Sequence, residues 1–436
     1  MASVWTRETT LPPFPALEGD LNTQVLIIGG GIAGLLCAWS LEREGADYAL
    51  IEAGRICGGV TGNTTAKITA QHGLLYHRLL RERGLAGASL YLRANQEALK
   101  KYRDLCRELD CGFQEQDAFV YSTRDRQKLA RETAALRKLG FPAELVDQTP
   151  LPFPVAGAVR FPRQGQFQPL RFLGAIAKGL RIYEGTKAVE LAPGRVRTGR
   201  GTVTAEKIIV ATHFPILNKH GGYFLKMYQS RSYVLALENA PRLDGMYLDE
   251  NEKGLSFRNE RDLLLLGGGG HRTGKKGGGW KELEAFVRTH WPRARETARW
   301  AAQDCMTLDG VPYIGAYSRG TRGLYVVTGF NKWGMTSAMV GAMVLTDLVL
   351  GRGSPYAALF DPSRSVLHPQ LAVNALESTL GLLTPTVPRC PHLGCALRYN
   401  AAEHSWDCPC HGSRFGEDGR LLDGPATVDK GKFLGR

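Results

Sequence analysis

No stretch of this sequence is apolar for long enough to cross a bilayer. The longest apolar runs, 25–36 and 339–350, are too short or too broken by glycine to span the hydrocarbon core. Residues 1–22 hold acidic residues and prolines but no apolar segment, so no signal peptide is expected and the chain is read as cytoplasmic. Internal repeats and low-complexity tracts are lacking too, which excludes fibrous and disordered classes. No run of Lys and Arg reaches the density of a nucleic-acid-binding tail, so the net charge of +13 leaves two readings. One is a solvated basic surface; the other is attraction for an acidic partner or an anionic substrate. Cysteine is sparse over most of the chain, yet four of the nine, Cys390, Cys395, Cys408 and Cys410, fall near its end. In a reducing compartment such clustering points to a metal site before a disulfide framework.

What is present is an ordinary globular composition, 43% hydrophobic and 22% charged, spread over 436 residues, more than one core usually holds. Two or three domains follow. Residues 24–28 (QVLII) read as a strand buried on both faces, 35–44 as a helix and 49–52 (ALIE) as a second strand, together a βαβ unit. Residues 91–109, 125–139, 282–291 and 294–300 read as helices, and 187–212 as strand, hairpin and strand. Residues 223–237 and 255–268 alternate like strands of a separate antiparallel sheet. A further buried strand at 324–328 leads into a helix over 336–350, and 351–388 is a connector with a short helix near 370–380.

Between the first strand and its helix lies Gly29-Gly30-Gly31-Ile32-Ala33-Gly34, a G-x-G-x-x-G pattern. Gly29 permits the tight turn, Gly31 the approach of a pyrophosphate, and Gly34 close helix–strand packing; the helix N-terminus favours the diphosphate charge. Glu52, followed by Ala53, ends the second strand 18 residues beyond Gly34, where an acid binds a ribose hydroxyl. FAD is favoured over NAD because the chain leaves this sheet after Glu52 and returns only near 207–212 and 324–328. At the last return Gly329, Trp333 and Gly334 precede a helix whose first turn, with Met335 and Thr336, can stabilise negative charge on a reduced flavin ring.

The tail reads Cys390-Pro-His392-Leu-Gly-Cys395, then Cys408-Pro-Cys410-His411-Gly-Ser413. A Rieske [2Fe–2S] centre takes two thiolates on one iron and two imidazoles on the other. Loops of C-x-H and C-x-x-H type each offer one ligand to each iron, so Cys390 and Cys408 are assigned to one iron and His392 and His411 to the other. Zinc takes the same residue types, but its fingers pair Cys with Cys and His with His, whereas here they alternate within each loop. The module from 385 to 436 is short, without the strands that usually lead into the first ligand loop; it either leans on the rest of the chain or binds its cluster poorly.

Residues 20–352 resemble the D-amino-acid-oxidase/glycine-oxidase superfamily of FAD enzymes, through GGVTGNTTAKITAQHG (58–73), ATHFPI (211–216) and TLDGVPYIG (307–315). With the tail, the chain looks like the bacterial subgroup of such oxidoreductases fused to a Rieske domain. The resemblance implies that Gly59, Thr65, Ala66 and Lys67 pass beside the isoalloxazine, that Ala211 and Thr212 contact flavin, and that Val189 lies on the adenine-side strand. It further implies a Cys395–Cys410 disulfide, as in Rieske proteins of cytochrome complexes. Lys67 and His72 are candidates to approach the ring, against a surface lysine and a packing histidine. Tyr228, Arg231, Arg258 and His271 belong to the lobe that roofs substrate in the resembling enzymes, where an Arg can take a carboxylate, against ordinary surface placement. Cys305 stands near where some relatives attach flavin covalently; the other reading is a buried thiol.

The expected fold is therefore α/β. A discontinuous Rossmann-like FAD lobe (20–82, 150–212, 301–352) joins an antiparallel-sheet substrate lobe (83–149, 213–300), a connector (353–384) and a small all-β Rieske module. The expected activity is FAD-dependent oxidation of a small amine or amino-acid-like substrate, with the cluster relaying electrons between flavin and an external one-electron carrier. The alternatives are an O₂-using oxidase with a structural module, and a carrier or sensor without its own substrate.

Overall fold

The apolar run of strand Leu21–Ile28 is almost wholly buried because parallel strands flank it on both sides. In this computed structural model, which describes residues 2–217, 220–251, 253–385 and 388–431, its neighbours are Gly201–Val210 and Tyr48–Ile51. Residues 218–219 and 252 of the expected substrate lobe, and 386–387 and 432–436 of the expected C-terminal module, lie outside the described residues. Leu324–Thr328 adds to Gly201–Val210 in parallel, and Tyr313–Ala316 closes that edge in the opposite sense. Thus three segments remote in sequence build one nucleotide-type sheet. Helix Ile32–Arg43, apolar on nearly all sides, packs closely against helix Gly334–Val349.

A second sheet runs in the order Arg295–Thr307, Met227–Glu238, Leu263–Arg272, Ser256–Glu260, Met246–Asp249, Gln114–Ser122, Gly157–Gln166, Lys67–Ile68. It is antiparallel except where Met246–Asp249 runs alongside Gln114–Ser122. Residues 294–300, expected as a helix, instead open the strand Arg295–Thr307, whose register with Met227–Glu238 extends over nearly its whole length. Here Ala298 and Trp300 bury on one face, so cross-strand packing overrides the local helical pattern. Residues 223–226 likewise form one helical turn before the strand begins at Met227.

The C-terminal module is a four-stranded antiparallel sheet in simple order: Arg398–Asn400, Ser405–Asp407, Arg414–Gly416, Leu421–Asp423. In place of leading strands, helix Pro369–Leu383 lies against its cysteine loops: the Ala396 N–H donates to the Gly381 carbonyl at 2.9 Å. A Cβ at Gly381 would come within 2.5 Å of the Cys410 sulfur. The helix expected within the connector is therefore packed onto the module. Among the described residues no helix is long and apolar enough to cross a membrane.

Candidate active site and metal centre

Gly29 turns the chain out of the first strand at φ +112°, and a Cβ there would stand 2.6 Å from the Ala211 carbonyl oxygen. A Cβ on Gly34 would stand 1.9 Å from the Gly29 carbonyl oxygen, so helix and strand close together only around glycine. The Glu52 carboxylate accepts from the Gly30 N–H at 2.7 Å and the Gly54 N–H at 2.8 Å, which fixes it at the rim of a cavity of about 1060 Å³. Gly29, Gly31, Ile32, Ala33, Glu52 and Ala53 line one end of that cavity. Ala211 and Thr212 line its side, and Gly59, Thr65, Lys67 and His72 with Gly329, Trp333, Gly334 and Met335 line its far end. Helix Gly334–Val349 has no side-chain cap and presents its first turn to the same space.

Four expected cofactor contacts lie outside the lining. Gly34 serves the packing just described. Ala66 is buried at φ +53°, and Thr336 turns its hydroxyl to the Thr69 carbonyl at 3.1 Å. Val189 is 54% exposed; strand alternation turns it outward, and Thr186, Lys187 and Ala188 form the wall instead. Cys305 is buried in the core behind the cavity and does not line it.

The chemistry-bearing candidates divide sharply. Lys67 reaches the cavity and donates from Nζ to the Tyr247 carbonyl at 3.2 Å. It is accessible only in part; enclosure, and then the Arg258 charge, lower its pKa to about 7. His72 stacks on Trp333 with centroids 4.9 Å apart. Its Nε2 lies 2.9 Å from the Thr69 carbonyl, which only accepts, so Nε2 carries the proton and Nδ1 accepts from the Tyr91 hydroxyl at 2.6 Å. Burial pushes its pKa down to about 3, so this imidazole stays neutral. Arg258 does not line the cavity: it pairs with Glu260 and donates to the Thr65 and Ala66 carbonyls at 2.8 and 3.1 Å, clamping the loop from behind. Tyr228, Arg231 and His271 also stand outside it, because their strand register aims them at the C-terminal module or its border. The Arg272 guanidinium covers the Tyr228 ring at 4.8 Å, Arg231 forks onto Glu403, and His271 lies 3.0 Å from the Tyr233 hydroxyl. Tyr233, which the sequence reading did not single out, does line the cavity, as do Asp304, Met306 and Asn331. Tyr233 shares its strand face with Arg231 and both reach Glu403, so no pattern in the sequence distinguishes the one that borders the cavity.

In the module the two ligand loops converge. The Cys390 and Cys408 thiols are hydrogen-bonded, and the His392 and His411 rings stand 5.0 Å apart at 81°. Both ring nitrogens of His411 are buried without a well-aligned hydrogen-bond partner. Burial lowers the pKa of His392 to about 4 and of His411 to about 3, leaving neutral imidazoles of the kind a metal requires. Two thiols, two neutral imidazoles and an orphaned buried nitrogen fit a [2Fe–2S] centre of the Rieske type. The sulfurs of Cys395, Cys408 and Cys410 lie within 4.8 Å of one another. Cys395 and Cys410, the pair that the resemblance joins in a disulfide, thus share one pocket with Cys408.

The module seats on the second sheet through side chains that grip its ligand loops. Gln229 Nε2 donates to the His411 and Gly424 carbonyls at 2.8 and 2.9 Å, and Gln303 Nε2 to the Gly412 carbonyl at 2.9 Å. Arg272 donates to the Pro409 and Cys410 carbonyls, each at 3.0 Å.

A family model described as FAD dependent oxidoreductase (DAO) matches residues 24–348. The chain belongs to that family. A second model, the Rieske [2Fe–2S] domain, matches residues 365–433, so this member of the family carries a C-terminal Rieske domain that takes in the helix Pro369–Leu383. A Bacillus subtilis protein named as a Rieske 2Fe–2S iron–sulfur protein, YhfW, is 35% identical over 97% of this chain and 95% of its own. That comparison spans 495 positions, more than the 436 residues here, so the relative carries insertions this chain lacks. The gamma-glutamylputrescine oxidoreductase of Escherichia coli is 25% identical over 79% of this chain and 88% of its own. The crystal structure of glycine oxidase from Geobacillus kaustophilus superposes with a TM-score of 0.68 at 21% identity, covering 79% of this chain and all of that one. The DAO domain implies FAD and the Rieske domain a [2Fe–2S] cluster. The glycine cradle, the tethered carboxylate and a cavity running on to Lys67 and Trp333 fit the flavin dinucleotide.

Proposed function

We propose that this FAD-dependent oxidoreductase oxidises a small amine or amino acid and sends the electrons out singly, through its Rieske centre, to an external carrier. Bound FAD supplies hydride acceptance and the cluster supplies one-electron transport; the chain's own residues bind, orient and connect. The observation that carries the reading is Phe214. It lines the flavin cavity, and its ring meets the His392 ring edge-on at 6.3 Å, so one aromatic side chain separates the cavity from an assigned cluster ligand.

Within the cavity, Lys67 supports an amine substrate. With a pKa of about 7 it is largely unprotonated just above neutrality, and its Nζ can then take a proton from a substrate ammonium, leaving the free amine that oxidation needs. His72, neutral and held at both nitrogens, does not compete for that proton; it fixes Trp333 by stacking. Names of two similar proteins, gamma-glutamylputrescine oxidoreductase and glycine oxidase, agree with an amine or amino acid. The cofactor-binding residues lining the cavity, and the Cys390, Cys408, His392 and His411 ligand set, form part of the same proposal.

The test is an anaerobic dithionite titration followed by absorbance and EPR, with iron and acid-labile sulfide assayed on the same sample, and then substrate screening with artificial acceptors. A flavin spectrum plus one reduced Rieske signal per chain, which an amine or amino acid also elicits under anaerobic conditions, is the expected result. Flavin without iron after reconstitution would refute the relay and leave an oxidase with a structural module.

A further inference from the structure

The wall of the flavin cavity is not drawn from the oxidoreductase domain alone. Leu421, Leu422, Gly424, Pro425, Ala426 and Thr427 of the Rieske domain line it together with Glu52, Gly54 and Thr186. This strap begins in Leu421–Asp423, the edge strand of the small sheet, and continues across the cavity border until the Thr427 carbonyl accepts from Lys187 Nζ at 2.7 Å. We infer that residues 421–427 form part of the FAD site, so that FAD binding and cluster loading reinforce each other.

The coupling has a visible path. Buried Gln229 uses one amide nitrogen to hold both the carbonyl of the ligand His411 and that of Gly424 in the strap. Ser413 ties the same two parts from the other side: its hydroxyl accepts from the Ala426 N–H at 3.0 Å, and its carbonyl from the Cys408 N–H at 2.8 Å. Strap and ligand loop are thus one hydrogen-bonded unit. Metal–ligand bonds at Cys408 and His411 restrict that unit to the conformation that walls the cavity. A dinucleotide filling the cavity restricts it to the conformation that presents the ligands. Linkage makes the two effects equal in size. The inference does not depend on which way electrons move or on the substrate, because it concerns only retention of the two cofactors.

The experiment measures FAD affinity on full-length protein by quenching of flavin fluorescence, with the cluster loaded and after anaerobic iron chelation. Cluster removal is expected to raise the Kd for FAD about fivefold or more, the lower end of ordinary couplings between sites. Conversely, iron loss to chelator, followed by absorbance, should proceed further at equilibrium by the same factor when FAD is absent. Gln229→Leu removes the shared donor without touching the cavity wall, and should weaken FAD about fivefold in the cluster-loaded protein, the scale of one buried hydrogen bond. Far-UV circular dichroism checks that each form is folded; if the chelated form unfolds, iron loss with and without FAD in the wild type decides. Equal FAD affinities with and without cluster, or iron loss indifferent to FAD, overturns the inference. Electron flow from flavin to cluster is scored separately by EPR, so a failed relay and a failed coupling are told apart.

Discussion

Replacing Lys67 with methionine removes a charge while keeping the length of the side chain, and the structure assigns opposite signs to its effects on stability and on turnover. The folded-state pKa of about 7 lies well below the ordinary lysine value of 10.5. Between those values the unfolded chain binds the proton and the folded chain does not, so the lysine's burden on the fold is full below pH 7 and fades as pH rises toward 10.5. Taken whole, the shift corresponds to about 5 kcal/mol, an upper bound because Lys67 borders a cavity that admits water. Setting against this the lost hydrogen bond to Tyr247, we expect Lys67→Met to stabilise the protein by about 1–3 kcal/mol at pH 7, and by less at pH 10. Urea unfolding of the flavin-loaded protein at both pH values measures this. In anaerobic single-turnover flavin reduction, the wild type should gain rate as pH rises through about 7, and the variant should lose that limb and at least about tenfold in rate. A variant less stable at pH 7, or one that keeps the wild-type pH limb, would refute the reasoning.

Gly34→Ala places a methyl 1.9 Å from the Gly29 carbonyl oxygen, so the purified protein should lose bound FAD, read as the flavin-to-protein absorbance ratio. Arg258→Met leaves buried Glu260 without its partner and frees the carbonyls of Thr65 and Ala66; a loss of about 3–5 kcal/mol in chemical denaturation is expected. Phe214→Leu should slow cluster reduction about tenfold in stopped-flow mixing with substrate, equivalent to 1.4 kcal/mol, while flavin reduction keeps its rate. Because Cys305 does not line the cavity, acid precipitation of the wild type should release all its flavin into the supernatant.

What the sequence made legible was what is written in contiguous residues. The βαβ unit around Gly29–Gly34, the return strands near 207–212 and 324–328, and the alternating Cys and His of the tail each state a local geometry, and each lies where that geometry puts it. Features set by register were not legible. Arg231, Arg258 and His271 belong to the expected sheet, but whether a side chain on it meets substrate, the module or a loop depends on partners remote in sequence, Glu403 for Arg231 and the Thr65 and Ala66 carbonyls for Arg258. The helical reading of 294–300 failed for the same reason, since the partner strand 227–238 lies far away in sequence. Val189 shows how small the margin is: a one-residue step along a strand separates wall from solvent.

The shortness of the C-terminal module left two readings open: it leans on the flavin-binding body, or it is too small to hold a cluster. The interface favours the first. Its own apolar core is little more than four cysteines with Leu397, Phe415 and Ala426. What replaces a larger core is a buried charge network in which Arg414 bonds Asp407, Glu403 and Asp423, and Arg231 reaches across from the body to the same Glu403. Burial alone would raise the Glu403 pKa, yet Arg231 and Arg414 hold it down at about 2, so this carboxylate remains charged over the working range. Removing Arg231 would leave Glu403 to Arg414 alone, which Asp407 and Asp423 already share, inside a module with little apolar surface to compensate. A domain whose central acid draws half of its neutralising charge from outside itself is not built to fold alone. It follows that residues 385–431 expressed separately should remain unfolded or bind iron poorly, whereas the same ligands in the full chain are held ready by Gln229, Gln303 and Arg272.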